Sequence, residues 1–155
     1  IISEQSHIIV ANAHNLAYVS NITLQCKDDA PIDSHNLDGE SLKIPNLHAK
    51  YMEMYTKEKR TLREFKRRWK VVFQQRWEAV IARDGRPPEH NIRISKSEME
   101  KHYVGADSEL QTFEKLLNEQ EDKVDYLSGV LDNIKNRNWQ IKNAIDWSKF
   151  QTGLG

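Results

Sequence analysis

Six histidines and one cysteine are the side chains best suited to metal binding or nucleophilic chemistry here, and their spacing argues against both. His7, His14, His35, His48, His90 and His102 include no pair four residues apart and no His-Glu-x-x-His, so no helix face would aim two imidazoles at one ion. Cys26 stands alone, which excludes an internal disulfide and any four-cysteine site and suits a reducing compartment. There is no phosphate-cradling Gly-x-x-x-x-Gly-Lys-[Ser/Thr] and no Gly-x-Ser-x-Gly nucleophile turn. Asp and Glu pairs are frequent, but on amphipathic helices they fall on solvated faces. The expectation is a protein without catalytic activity, metal or cofactor.

The cations offer different chemistry. In residues 57–70, Lys57, Lys59, Arg60, Arg63, Lys66, Arg67, Arg68 and Lys70 are set against Glu58 and Glu64 alone. On a helix, Lys59, Arg63, Lys66 and Lys70 form one stripe, widened by Arg60, Arg67 and Arg68. A solvated face usually mixes signs to gain i,i+4 pairs, whereas this excess repels itself. A polyanionic partner is therefore expected, either nucleic acid or the acidic half of another subunit. Phe65, Trp69, Phe73 and Trp77 recur every four residues beside the charge. They would serve either as stacking platforms for single-stranded bases or as the core of a helical pair. Arg76 continues the apolar seam two turns after Trp69, so it snorkels to the edge or faces a surface made by assembly.

These side chains need elements to carry them. The chain has 155 residues with 30% charged, 38% hydrophobic, 6 Gly and 4 Pro. That is too little turn punctuation for a sandwich or barrel, and long helices are expected. Net charge is zero but comes in blocks: residues 1–42 sum to −5, residues 43–96 to +9 and residues 97–155 to −4. No stretch is long and apolar enough to span a membrane. The chain opens on Ile1 rather than Met, so a fragment or processed form is expected, with residues 1–27 as a tail and residues 28–155 as one helical domain. A short helical piece would start near Asp33 or Ser34. Pro45 would then open a new helix, whose seam of Leu47, Tyr51, Met54, Leu62, Phe65, Trp69, Val72 and Val80 runs to about Asp84, ~60 Å. Asp84-Gly85-Arg86-Pro87-Pro88 stops it.

Ser95-Lys96-Ser97-Glu98 reads as a capping box for a second long helix. Its seam of Met99, Tyr103, Ala106, Leu110, Phe113, Leu117, Gln120, Val124, Leu127, Leu131 and Ile134 alternates steps of four and three, a heptad pattern. The fold class expected is all-α, a long antiparallel helical hairpin with a short N-terminal helix and a C-terminal oligomerisation helix. Asn136-Arg137-Asn138 would break or bend the chain before that last helix, which ends near Gly153. Trp139, Trp147 and Phe150 fall on one side of it, while Ile141, Ala144 and Ile145 fall mostly on the other. A helix apolar on two sides needs two burial partners, so Trp139, Ile141, Ile145, Trp147 and Phe150 are the candidate oligomerisation residues.

Three stretches carry a family resemblance: Asp29-x-x-Ile32-Asp33-x-x-x-Leu37-x-x-Glu40, then Lys96-Ser97-Glu98-Met99, and above all Ser128-Gly129-x-Leu131-Asp132-x-Ile134-Lys135-x-Arg137, followed by Ile141-Lys142, Phe150 and Gly153. From about Asp28 to Gly155 the chain resembles the UvsY recombination mediators of T-even-like phages. The resemblance implies an all-helical homo-oligomer, a ring, that binds single-stranded DNA in the cytoplasm of an infected bacterium. Its implied partners are a UvsX-type recombinase and the phage single-strand-binding protein, and no catalysis is implied. The family places a Lys-x-Arg pair late in the basic helix; Arg76 matches the Arg, but Gln74 occupies the Lys position. Lys59, Arg63, Lys66, Arg67, Arg68, Lys70 and Arg76 are the candidate DNA-binding residues. The competing reading is a coiled-coil structural or chaperone-like adaptor whose basic face docks an acidic protein.

Overall fold

Asp33 organises the first turn of the structure. Its Oδ1 accepts a hydrogen bond from the His35 amide at 2.9 Å and its carbonyl accepts one from the Asn36 amide at 3.1 Å, an Asx-type turn rather than a helix start. The Asn36 carbonyl then accepts the Glu40 amide at 3.0 Å, and Asp38 and Glu40 place negative charge in the first helical turn, where the backbone dipole favours it. In this computed structural model, which describes residues 18–83, 97 and 107–153, the chain forms α1 (residues 18–29), α2 (Leu37–Arg83) and α3 (Ser108–Gln151). The described residues include no strand, in keeping with the all-α expectation.

Three further expectations change. Residues 18–27, assigned to a tail, belong to α1, where Ile22 is 3% exposed. Pro45 does not open a helix but lies inside α2. It is exposed, and so is Ser41, whose carbonyl loses its amide donor to the proline ring and can turn to water. Helix α3 runs through Asn136, Arg137 and Asn138 without a break, so the candidate oligomerisation residues sit on its C-terminal turns rather than on a separate helix. The described part of this helix is capped by Asp107, whose Oδ1 accepts the Glu109 and Leu110 amides at 2.9 and 3.2 Å. The capping box at Ser95 and the seam residues Met99, Tyr103 and Ala106 lie outside the described residues, as does the stop at residues 84–88. Helix α3 ends as expected, with Gly153 at φ 70° in the left-handed conformation that closes a helix.

The chain divides into two units. One comprises residues up to Met54 together with those from Tyr126 onward. Its core is Ile22, Ile44, Tyr51, Leu127, Leu131, Ile134 and Ile141, all buried; the last four follow the heptad spacing. Arg137 is buried among them. Its guanidinium donates to the carbonyls of Asp29, Ala30 and Pro31 at 2.9, 3.1 and 2.7 Å and to Glu40 Oε2 at 2.6 Å. It thereby ties the end of α1, the link and the start of α2 to α3. Asp29 also accepts Lys50 Nζ at 2.7 Å and the Tyr51 hydroxyl at 2.8 Å.

The other unit spans residues 55–125. Leu110 is fully buried against Trp69, Val72, Phe73 and Trp77, while Phe113 meets Phe65 and Trp69 with ring centroids 6.3 and 5.7 Å apart. Early residues of this stretch of α2 meet late residues of its α3 partner, so the two run antiparallel. At the early end Gln120 Nε2 donates to the Glu58 carbonyl at 3.0 Å and to Glu58 Oε2 at 2.7 Å. Lys123 Nζ lies 3.6 Å from the same carboxylate. Each of these three side chains is at least nine-tenths buried, and buried polar groups persist only when they are paired.

Candidate nucleic-acid interface

The unit formed by residues 55–125 holds all seven candidate DNA-binding residues. Its apolar face is set by Leu62, Phe65, Trp69, Val72 and Phe73, which are half-buried. Helical geometry places Lys59, Arg63, Lys66 and Lys70 along one flank of that face, with Arg67 farther out and Arg68 on the other flank. Lys59, Arg63, Lys66, Arg67, Arg68 and Lys70 are exposed, whereas Arg76 is partly covered.

Their surroundings differ more than their spacing suggests. Lys66 Nζ pairs with Glu121 at 2.6 Å. Glu64 holds two cations, Arg67 at 2.5 Å and Arg68 at 3.3 Å, through separate oxygens. The Arg67 guanidinium, with Arg68 behind it, keeps the Glu64 carboxyl below its ordinary range, and Arg67 is raised in return. Arg76 lies 3.5 Å from Asp107 and is also paired with Glu109, at the N-terminal end of α3. It thus neither snorkels alone nor stays vacant for an assembly surface. Lys59 Nζ hydrogen-bonds the Tyr55 hydroxyl at 3.0 Å and lies 5.0 Å from the ring centre. Arg63 and Lys70 form no ion pair among the described residues.

The carboxylate partners were only partly legible. Glu64 stands three and four residues before Arg67 and Arg68, a spacing that announces its pairs. Glu121, Asp107 and Glu109 reach their cations across the helical pair, and no local spacing reveals that. Of the two readings of the aromatic repeat, the core reading accords with the packing: Trp69 also packs on Phe73 at 6.0 Å, and Trp69, Phe73 and Trp77 cover Leu110. Gln74 donates to Glu78 at 2.6 Å.

The oligomerisation candidates lie in the other unit and split by face. Ile141 is 3% exposed within the chain's own core, and Ile145 lines a shallow groove with Leu37 and Leu42. Trp139, Trp147 and Phe150 are 66%, 62% and 73% exposed. The Trp147 and Phe150 rings stack at 5.8 Å, and Lys142 Nζ lies 5.4 Å from the Trp139 ring. Among the described residues, no group of His, Cys, Asp and Glu could hold a metal ion, and no helix is long and apolar enough to cross a membrane.

The comparisons with known proteins agree with one another. A family model described as "Recombination, repair and ssDNA binding protein UvsY" matches residues 25–154. The recombination protein UvsY of Enterobacteria phage T4 is similar, being 28% identical over 129 residues that cover 83% of this chain and 93% of the phage protein. Two crystal structures of the bacteriophage T4 recombination mediator protein UvsY share the fold. Lattice type IV matches with a TM-score of 0.71 and 25% identity over 85% of this chain and 97% of the other. Lattice type I matches with 0.69 and 27% over 84% and 98%.

Proposed function

Because the chain belongs to the UvsY family of recombination, repair and single-stranded-DNA-binding proteins, we propose that it is a phage recombination mediator acting in the infected cell's cytoplasm. It grips the sugar-phosphate backbone of single-stranded DNA and helps a UvsX-type recombinase load onto strand covered by the phage single-strand-binding protein. It catalyses no reaction of its own. The contacts are Lys59, Arg63, Lys66, Arg67, Arg68, Lys70 and Arg76. The observation that carries this reading is the exposed cation excess of residues 57–70, with Arg63 and Lys70 unpaired among the described residues. Such a face would collect phosphates through charge, without reading bases. Copies of the chain join into a ring through the exposed aromatic side of α3, and several basic faces then hold one strand with a gain in effective concentration.

Gel shifts with single-stranded and duplex oligonucleotides at several salt concentrations test the binding step. Neutralising about five phosphates gives a slope of roughly −3.5 for log K against log[salt]. A face that ignores single strands but captures an acidic protein would support the adaptor reading instead. The loading step is tested on strand already covered by the single-strand-binding protein: added protein should shorten the lag of recombinase ATP hydrolysis while hydrolysing no ATP alone. A lag that does not respond overturns the mediator role.

A further inference from the structure

The cations assigned to strand binding fall into two sets. Among the described residues, Arg63 and Lys70 have no carboxylate partner and Lys59 meets only Tyr55. Lys66, Arg67 and Arg68 are already occupied by Glu121 and Glu64, as Arg76 is by Asp107 and Glu109. A carboxylate oxygen and a phosphate oxygen take the same charge-assisted hydrogen bonds from Lys and Arg, so a bound strand and these carboxylates compete for the same donors.

Resting on the DNA-binding reading above, we infer that Glu64 and Glu121 are internal competitors that set the affinity of the strand-binding face, holding Lys66, Arg67 and Arg68 until a phosphate displaces them. The pairs are open to exchange. The side chains are 51% and 40% exposed for Lys66 and Glu121, and 74%, 66% and 39% exposed for Arg67, Arg68 and Glu64. Exposed ion pairs of this kind are weak and screened by salt, so a polyanion can replace them without unpacking any core. Glu64 uses one oxygen for each arginine, and a single substitution therefore releases two cations. The consequence is a graded face: Arg63, Lys70 and Lys59 meet the strand directly, and the held cations add to the grip only as their glutamates let go. When the strand leaves, the glutamates recapture their cations, and release is easier than from a face of bare charge. A protein that must surrender its strand to a recombinase gains from such restraint.

The test is fluorescence anisotropy with a labelled oligothymidylate across a salt series, using the full chain and the variants Glu64→Gln, Glu121→Gln and Asp132→Asn, each checked for helicity by circular dichroism. Asp132 is an exposed acid of the other unit, paired with Lys135 at 3.0 Å, and controls for net charge alone. Glu64→Gln and Glu121→Gln should each tighten binding by about two- to fivefold at low salt and steepen the log–log salt slope by up to ~0.7 per freed contact. Asp132→Asn should do neither. Arg63→Ala and Lys70→Ala should each weaken binding more than Arg67→Ala. If both glutamate variants match Asp132→Asn or bind more weakly than the parent, the inference is overturned while DNA binding itself stands. If Glu64→Gln fails to fold, Glu121→Gln decides alone. A parent chain that does not bind the oligonucleotide overturns the proposed function and this inference with it.

Discussion

Arg137 shows how a charged side chain can belong to architecture. In the sequence it sits between two asparagines, residues that favour caps and turns over helix interiors, and so it reads as a place where the chain would bend. In the fold it takes an apolar position on the inner face of α3 and donates to three carbonyls and to the Glu40 carboxylate, whose other oxygen is held by Lys43. Arg137→Ala would strip donors from this buried cluster, and acceptors left unmatched cost more than a lost surface bond. A fall in melting temperature of roughly 5 °C or more is expected, measured by circular dichroism, with the remaining DNA-binding face unaltered at temperatures where the variant is folded. The same cluster fixes the pH response. The Lys50 and Tyr51 hydrogen bonds, then Arg137, hold Asp29 below its ordinary value of 3.8, and Lys43, then Arg137, hold Glu40 below 4.5. Their stabilisation is complete above those ordinary values and is lost as pH falls through the lower folded ones. Tyr51 moves the opposite way: burial first, then hydrogen bonds involving Cys26 and Asp29, raise it above its ordinary 10.0. The folded chain keeps that proton while the unfolded chain ionises, so stability declines as pH rises beyond about 10. Urea midpoints should therefore be flat between about pH 5 and 9 and fall on both sides. A midpoint unchanged from pH 6 to pH 3 would contradict the acid arm.

At the scale of the element, periodicity carried most of the information. The second heptad seam placed Leu110, Gln120, Val124, Leu127, Leu131 and Ile134 on one face, and all six are buried. The errors came where local chemistry and tertiary burial disagree. Pro45 is a poor interior helix residue by propensity, yet Glu40 and Ile44 before it and Tyr51 after it are each buried. Keeping those contacts on one continuous helix outweighs a missing hydrogen bond on an exposed face. Asp33 looked like a helix start because Asp favours N-caps, and it instead closes the turn before the cap. Gly129 supplies a clean test of how far α3 is governed by ordinary helix energetics. It is exposed, helical, and a Cβ added there would meet nothing within 4 Å. Gly129→Ala should therefore stabilise the protein by about 0.5–1 kcal/mol, seen as a rise of a few degrees in melting temperature. A loss of stability would mean that this backbone is covered in the assembled protein.

For the whole molecule, the decisive asymmetry is that α3 has one apolar side used and one unused. Ile141 completes the core of its own unit, so cutting the chain after Arg137 would remove core as well as any interface and confuse folding with assembly. The exposed side can be changed alone. Replacing Trp139, Trp147 and Phe150 together with Gln leaves Ile141 and Ile145 in place and removes only rings that are at least 62% exposed. Aromatic anchors of this size dominate most protein interfaces, and a heterologous contact built from them closes into a ring when the rotation permits. The triple variant should keep its helicity, sediment as a smaller species than the parent, and bind short oligonucleotides with nearly parental affinity. Binding to strands long enough to touch several subunits should weaken by tenfold or more, on the order of the avidity that linked sites provide. Sedimentation of the variant at the parental size would move the interface away from these rings. Equal loss for short and long strands would instead show that the rings touch DNA directly.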